Sequence, residues 1–279
     1  MDISVTSLRS ILLQLDATAT CVAKLEFTRN VALRHEATLC AMFIESRGEE
    51  PTQRSFSREP AELLQLMDRG DIDRTTSLFD DTHSEGGRPV HWLSSGADPV
   101  KTFCRQAPYA DLLVLAQHNL SAPSSGTVPA NFVESVVMAS GKPALILPLK
   151  GNYGPPDRDV LIGWNATPQA ARTVTAALPW LRIARRVQVM EFAGSAAPHH
   201  AGDLDIVHFL RLHGIESTLQ RDHAAPTDAG EVLLSFASAI GADLLVMGCY
   251  GHHRTRELVL GGASRTVLGA MTLPVSMAH

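Results

Sequence analysis

The strongest chemical signal in the chain is a run of spaced glycines in its second half. It reads Gly248-Cys249-Tyr250-Gly251, then nine residues, then Gly261-Gly262-Ala263-Ser264. Gly248 ends an apolar run, where the absence of a Cβ would let a ligand approach the backbone. Gly251 permits a positive φ in the turn. Gly261 and Gly262 precede a helix-forming segment, and the free N–H groups of a helix's first turn make an anion site. Successive N–H groups in such turns form a nest for phosphate. His252, with His253 and Arg254, lies in the intervening loop and could add positive charge. The plain alternative is a glycine-rich turn that holds nothing.

Such a loop works only if strands and helices present it. The second half alternates between the two. Strands are expected at Val160–Trp164, Val187–Phe192, Ser217–Gln220 and Leu244–Met247, with a fifth beginning at Val275. Helices are expected near 168–181, 204–213, 227–240 and 263–271. This alternation implies a parallel, doubly wound sheet, whose ligands sit beyond the carboxyl ends of the strands. A nucleotide's base would then lie by Gly163, Trp164, Asn165, Val189 and Met247. Its phosphates would rest on Gly248, Gly251, Gly261, Gly262, Ala263 and Ser264, near His252. Cys249 sits within this loop, where a reactive thiol is conceivable, although an ordinary free thiol is the plainer reading.

The first half repeats the plan. Ala110-Asp111-Leu112-Leu113-Val114-Leu115-Ala116 matches Ala242-Asp243-Leu244-Leu245-Val246-Met247-Gly248, and Ile11–Thr18 matches Val160–Thr167. Its strands are expected at Ile11–Leu15, Thr38–Phe43, Val90–Leu93 and Leu112–Leu115, with helices near 21–35, 60–84 and 99–107. Each half closes on a proline-led strand, at Pro143–Leu147 and Pro274–Met277. The Gly- and Pro-rich stretch Lys150–Pro156 reads as a linker, giving domains over 1–150 and 156–279. Asp111 and Asp243 read as solvated charges at the start of a strand. The first half lacks the glycine loop, since Ala116, Asn119 and Ala130 replace Gly248, Gly251 and Gly261. Asp16 stands where the second half has Asn165.

The G-x2-G-x9-G spacing resembles the nucleotide motif of the universal stress protein family, and the resemblance covers both halves. It implies two tandem Rossmann-like (HUP-type) domains, each a five-stranded, mainly parallel sheet flanked by helices. It also implies an adenine nucleotide as ligand, ATP foremost, with Mg²⁺ as its companion, and a role in stress tolerance in the cytoplasm. Two positions depart from the family pattern. Gly262 stands where a Ser or Thr is usual, with Ser264 two positions later, and Asn165 stands where Asp is common. Asn can still donate and accept hydrogen bonds to a base or ribose, but it is a poorer ligand for Mg²⁺.

Bulk properties narrow the classes. The net charge is −5 with no long basic block, which argues against nucleic acid as a partner. The longest apolar runs are strand-length, well short of the roughly 20 residues of a membrane span. The opening Met1-Asp2-Ile3-Ser4 lacks a signal-peptide pattern, and the four cysteines are widely spaced with no C-x-x-C pair. A cytoplasmic protein with free thiols is the expectation. Histidines cluster at 199–223, but His208 and His213 fall on different faces of a helix, so no metal site is expected. There is no G-x-x-x-x-G-K-[ST] or G-x-S-x-G motif, hence no assigned catalytic residue. Three functions remain: a nucleotide-dependent regulator, a ligand-free interaction scaffold, and a slow ATPase. Leu145, Leu147, Val275 and Met277 alternate along the closing strands. The two halves are therefore expected to pair as an intramolecular pseudo-dimer, with a homodimer of whole chains as a further step and the regulatory protein partner unassigned.

Overall fold

The computed structural model describes residues 8–16, 20–44, 90–94, 98–117, 128–150, 153–154, 158–192, 204–222, 228–249 and 262–279. The chain divides between Leu149 and Lys150 into two compact units.

The first unit contains β1 (Ser10–Leu15), α1 (Cys21–His35), β2 (Thr38–Phe43), β3 (Val90–Ser94), α2 (Pro99–Gln106), β4 (Leu112–Ala116), α3 (Phe132–Ser140) and β5 (Ala144–Leu147). Its strands lie in the order β3-β2-β1-β4-β5 and pair in parallel. The second unit contains β6 (Asp159–Trp164), α4 (Pro168–Leu181), β7 (Arg186–Phe192), α5 (Ile206–Leu212), β8 (Ser217–Asp222), α6 (Ala229–Ile240), β9 (Leu244–Gly248), α7 (Gly262–Ala270) and β10 (Val275–Ala278). The order here is β8-β7-β6-β9-β10, again parallel. In each unit the strand order reverses beside the first strand, which creates a switch point between β1 and β4, and between β6 and β9.

The sequence explains these elements locally. Helices cover both faces of a parallel sheet, so its central strands are apolar throughout. Ile11, Leu12, Leu13 and Leu15 are buried, as are Leu244, Leu245 and Val246. The starts of α2, α4 and α5 are capped by side chains. Asp98 accepts from Lys101 N at 3.0 Å, Thr167 from Ala170 N at 3.3 Å, and Asp205 from His208 N at 2.6 Å. The Asp205 cap explains why α5 begins two residues later than the expected Leu204.

Asp111 and Asp243 do more than carry solvated charge. Asp111 Oδ2 accepts from Arg9 N at 2.8 Å and Ser10 N at 3.0 Å, and Asp243 Oδ2 accepts from Asp159 N at 3.0 Å. Each carboxylate ties the start of its unit's first strand to the start of the fourth. Helix α3 follows β4 in a stretch to which the sequence pattern assigned nothing. The expected helix at 60–84 lies outside the described residues.

Candidate functional site

In unit 2 the carboxyl ends of β6 and β9 and the starts of three helices gather at one edge of the sheet. Helix α4 leaves β6 through Asn165, Ala166 and Thr167. Ala166 adopts a φ of 53°, unusual for a residue with a side chain. Thr167 Oγ1 donates to Asn165 Oδ1 at 2.8 Å while capping α4. Asn165 is thereby fixed in the turn at the tip of β6.

The glycines serve other purposes than expected. A Cβ on Gly248 would lie 2.5 Å from Ala170 N and 2.9 Å from Ala170 Cα. The close approach there is by the first turn of α4, not by a ligand. A Cβ on Gly163 would lie 3.0 Å from Leu233 Cδ1 on α6 and 3.5 Å from Met247 Cβ. Gly163 makes room for a core leucine. Val189 is 0% exposed and Met247 5%, so both side chains belong to the core.

Neighbouring residues in a strand point to opposite faces. Gly163 and Met247 face α6, whereas Trp164 faces α4 and α5 and lines a cavity between them. The expected grouping of Gly163, Trp164 and Met247 around one base is therefore corrected, because Trp164 is on the other side of the sheet. Gly251, His252 and Gly261 lie outside the described residues. Cys249 is fully buried, and burial pushes its thiol up to about 12. It is a poor nucleophile near neutrality.

The residues that do converge include one the sequence pattern did not single out. Gly230, the second residue of α6, sits against the first turn of α7. A Cβ there would lie 2.8 Å from Ala263 O and 2.8 Å from Thr266 Cβ. The starts of α6 and α7 are thus pressed together, while the α4 start abuts Gly248 from the other side of the sheet. Helix N-termini carry partial positive charge and unpaired N–H groups. Asp228 and Glu231 offset this on α6, whereas the first turn of α7 has no acidic residue. Gly262 is exposed, Ala263 half-buried and Ser264 buried. The donors suit an anionic group at Gly262. Among the described residues no cluster of three His, Cys, Asp or Glu could hold a metal ion.

At the matching edge of unit 1 the tip of β1 carries a buried ion pair. Lys24 Nζ meets Asp16 Oδ1 at 2.7 Å, and the lysine is 1% exposed. Gln14 Nε2 donates to Asp16 Oδ2 at 3.2 Å, and Gln14 Oε1 accepts from Ala116 N at 2.9 Å. Gln14 occupies the place of Gly163, and Lys24 that of Thr173. In unit 2 Thr173 is a small capped residue, its hydroxyl accepting from Ala278 N at 2.9 Å.

No family model matches the chain, and no curated protein sequence matches it. Solved structures do. A universal stress protein from Archaeoglobus fulgidus DSM 4304 is 14% identical with a TM-score of 0.65, over 96% of this chain and 97% of that one. A putative universal stress protein from Pseudomonas aeruginosa UCBPP-PA14 is 14% identical with a TM-score of 0.58, over 96% and 92%. The cytoplasmic domain of a prokaryotic cation chloride cotransporter is 10% identical with a TM-score of 0.54, over 97% and 95%. The class is therefore defined by fold: an α/β chain with the Rossmann-like fold of the universal stress proteins over nearly its full length. No helix among the described residues is long and apolar enough to cross a membrane.

Proposed function

We propose that the chain is a tandem universal stress protein and acts as a cytoplasmic regulator that binds one adenine nucleotide, ATP foremost, in unit 2. The observation that carries this reading is the close approach of the α6 and α7 starts, where Gly230 lets α7 close onto α6, at the carboxyl end of the sheet where the α4 start meets Gly248. The phosphates would rest on the first turn of α7, at Gly262, Ala263 and Ser264, with Asn165 toward the nucleoside. The glycine loop between β9 and α7 would complete the cradle. Mg²⁺ would enter bound to the phosphates.

The reading is tested by replacing Gly262 with glutamate. An acidic residue in a helix's first turn favours the helix, but its charge repels phosphate. Gly262→Glu should keep or raise the melting temperature and weaken ATP at least about tenfold, a change of roughly 1.4 kcal/mol. Undiminished affinity in a folded Gly262→Glu protein would move the ligand elsewhere.

The scaffold reading applies to unit 1, where the buried Lys24–Asp16 pair fills the equivalent place. We propose that this unit serves as a ligand-free partner for unit 2. The closing strands β5 and β10 each end the strand order of their own unit. Such strands carry unpaired backbone groups unless something covers them. If they cover each other, a fragment spanning 158–279 should self-associate in sedimentation, and a stable monomer would contradict the pairing.

A further inference from the structure

The second unit also holds a cavity that the nucleotide reading does not use. It measures about 250 Å³ and lies between α4 and α5, over the face of β6 opposite to Gly163 and Met247. Trp164 and Phe209 give it aromatic walls, and Val174 and Ile206 give it aliphatic ones. Phe209 is braced from behind. Its ring meets His213 edge-on at a centroid distance of 4.7 Å, and Arg182 Nη2 holds His213 Nδ1 at 3.2 Å. Among the described lining residues the polar groups are few: the hydroxyl of Thr175 and the carboxylate of Asp205. Asp205 already accepts from His208 N as the cap of α5.

These features select a ligand class. For scale, an apolar cavity of about 150 Å³ suffices to bind benzene, so this volume suits one or two fused rings. Aromatic walls prefer flat partners through stacked or edge-on contacts. Among the described lining residues the one charged group is an acid whose remaining capacity is to accept, so it favours a ligand with an N–H or O–H donor and repels anions. A nucleotide or fatty acid is thereby disfavoured. We propose that this cavity is a binding site for a small, uncharged, planar aromatic molecule bearing a hydrogen-bond donor, of the size of indole. The cavity lies on the α4–α5 side of the sheet, whereas the phosphate position on α7 lies with α6 on the Gly163 side.

The site also has a route to the nucleotide edge. Trp164 is followed directly by Asn165 and by Ala166 at its positive φ. A ligand that pins Trp164 restrains the turn that carries Asn165.

The test uses the full-length chain with indole as probe and indole-3-acetate as its anionic counterpart. Saturation-transfer NMR and calorimetry should show indole binding below about 1 mM, within the ligand-efficiency range for about nine heavy atoms. Indole-3-acetate should bind at least tenfold more weakly. Ala171 and Thr175 line the cavity from exposed positions on α4, so leucine at either can fill it without disturbing the core. Ala171→Leu and Thr175→Leu should each weaken indole at least tenfold with the melting temperature of the free protein unchanged or raised. Two results would overturn the proposal: no indole binding by the wild-type chain at several millimolar, or equal binding by the wild-type and both folded leucine variants. Equal binding of indole and its acetate would overturn the choice of ligand class.

Discussion

Lys24 and Thr173 stand eight residues after Asp16 and Asn165 respectively, and the contrast between them separates the two units. A lysine within an amphipathic helix ordinarily reads as part of a solvated face, so nothing in the pattern of residues 21–35 marks Lys24 as buried. Its role comes from Asp16, which the sequence did show at the strand-one position. Removing one partner of a buried pair strands the other, so Lys24→Met should lower stability by about 3–5 kcal/mol in urea unfolding. Asp16→Leu combined with Lys24→Met should recover most of that loss. A single variant as stable as wild type would show that the pair is not needed. Cys249 gives a second residue-scale expectation. With its thiol pushed up to about 12 and fully buried, it should resist iodoacetamide at pH 8 in the folded chain and react only on unfolding.

At the scale of elements, the strands and helices were largely legible because their periods and punctuation were. The expected bounds of α1, α4 and β2 coincide with those observed. What each glycine is for was not legible. A glycine at a strand end is equally suited to a ligand or to a neighbouring helix, and only packing decides. Gly248 and Gly163 proved to accommodate α4 and Leu233, while Gly230, in an ordinary helical stretch, proved to set the α6–α7 contact. Gly248→Val therefore cannot serve as a clean binding variant, because it drives a branched side chain into the backbone of α4. It should destabilise the fold by about 1–3 kcal/mol or more, the usual range for overpacking. Gly230→Ala should also destabilise, although alanine favours a helix interior by roughly 1 kcal/mol, because its Cβ meets a carbonyl oxygen of α7. An unchanged or raised denaturation midpoint for either would show that the neighbouring helix yields.

At the scale of the whole molecule, the internal repeat was readable from two matched segments. In the first copy the absence of the three glycines was readable, whereas the buried Lys24–Asp16 pair was not. Acid sensitivity follows from a pairing with no sequence signature. Burial pushes the pKa of Asp159 up, but Arg185 and Arg186 together hold it below its ordinary value of 3.8. A carboxylate with a depressed folded pKa stabilises fully above its unfolded pKa and loses that contribution as pH falls through the folded value. Asp159→Asn should be less stable at neutral pH and should show a shallower loss below about pH 4. An acid-unfolding curve identical to wild type would remove Asp159 from the account. The most direct test of the central claim is calorimetric titration of the full chain with ATP and Mg²⁺, reading the number of sites. One site per chain is expected, abolished or weakened at least tenfold by Gly262→Glu. No heat and no melting shift at millimolar ATP would contradict nucleotide binding in unit 2, and two equivalent sites would contradict the closed first unit.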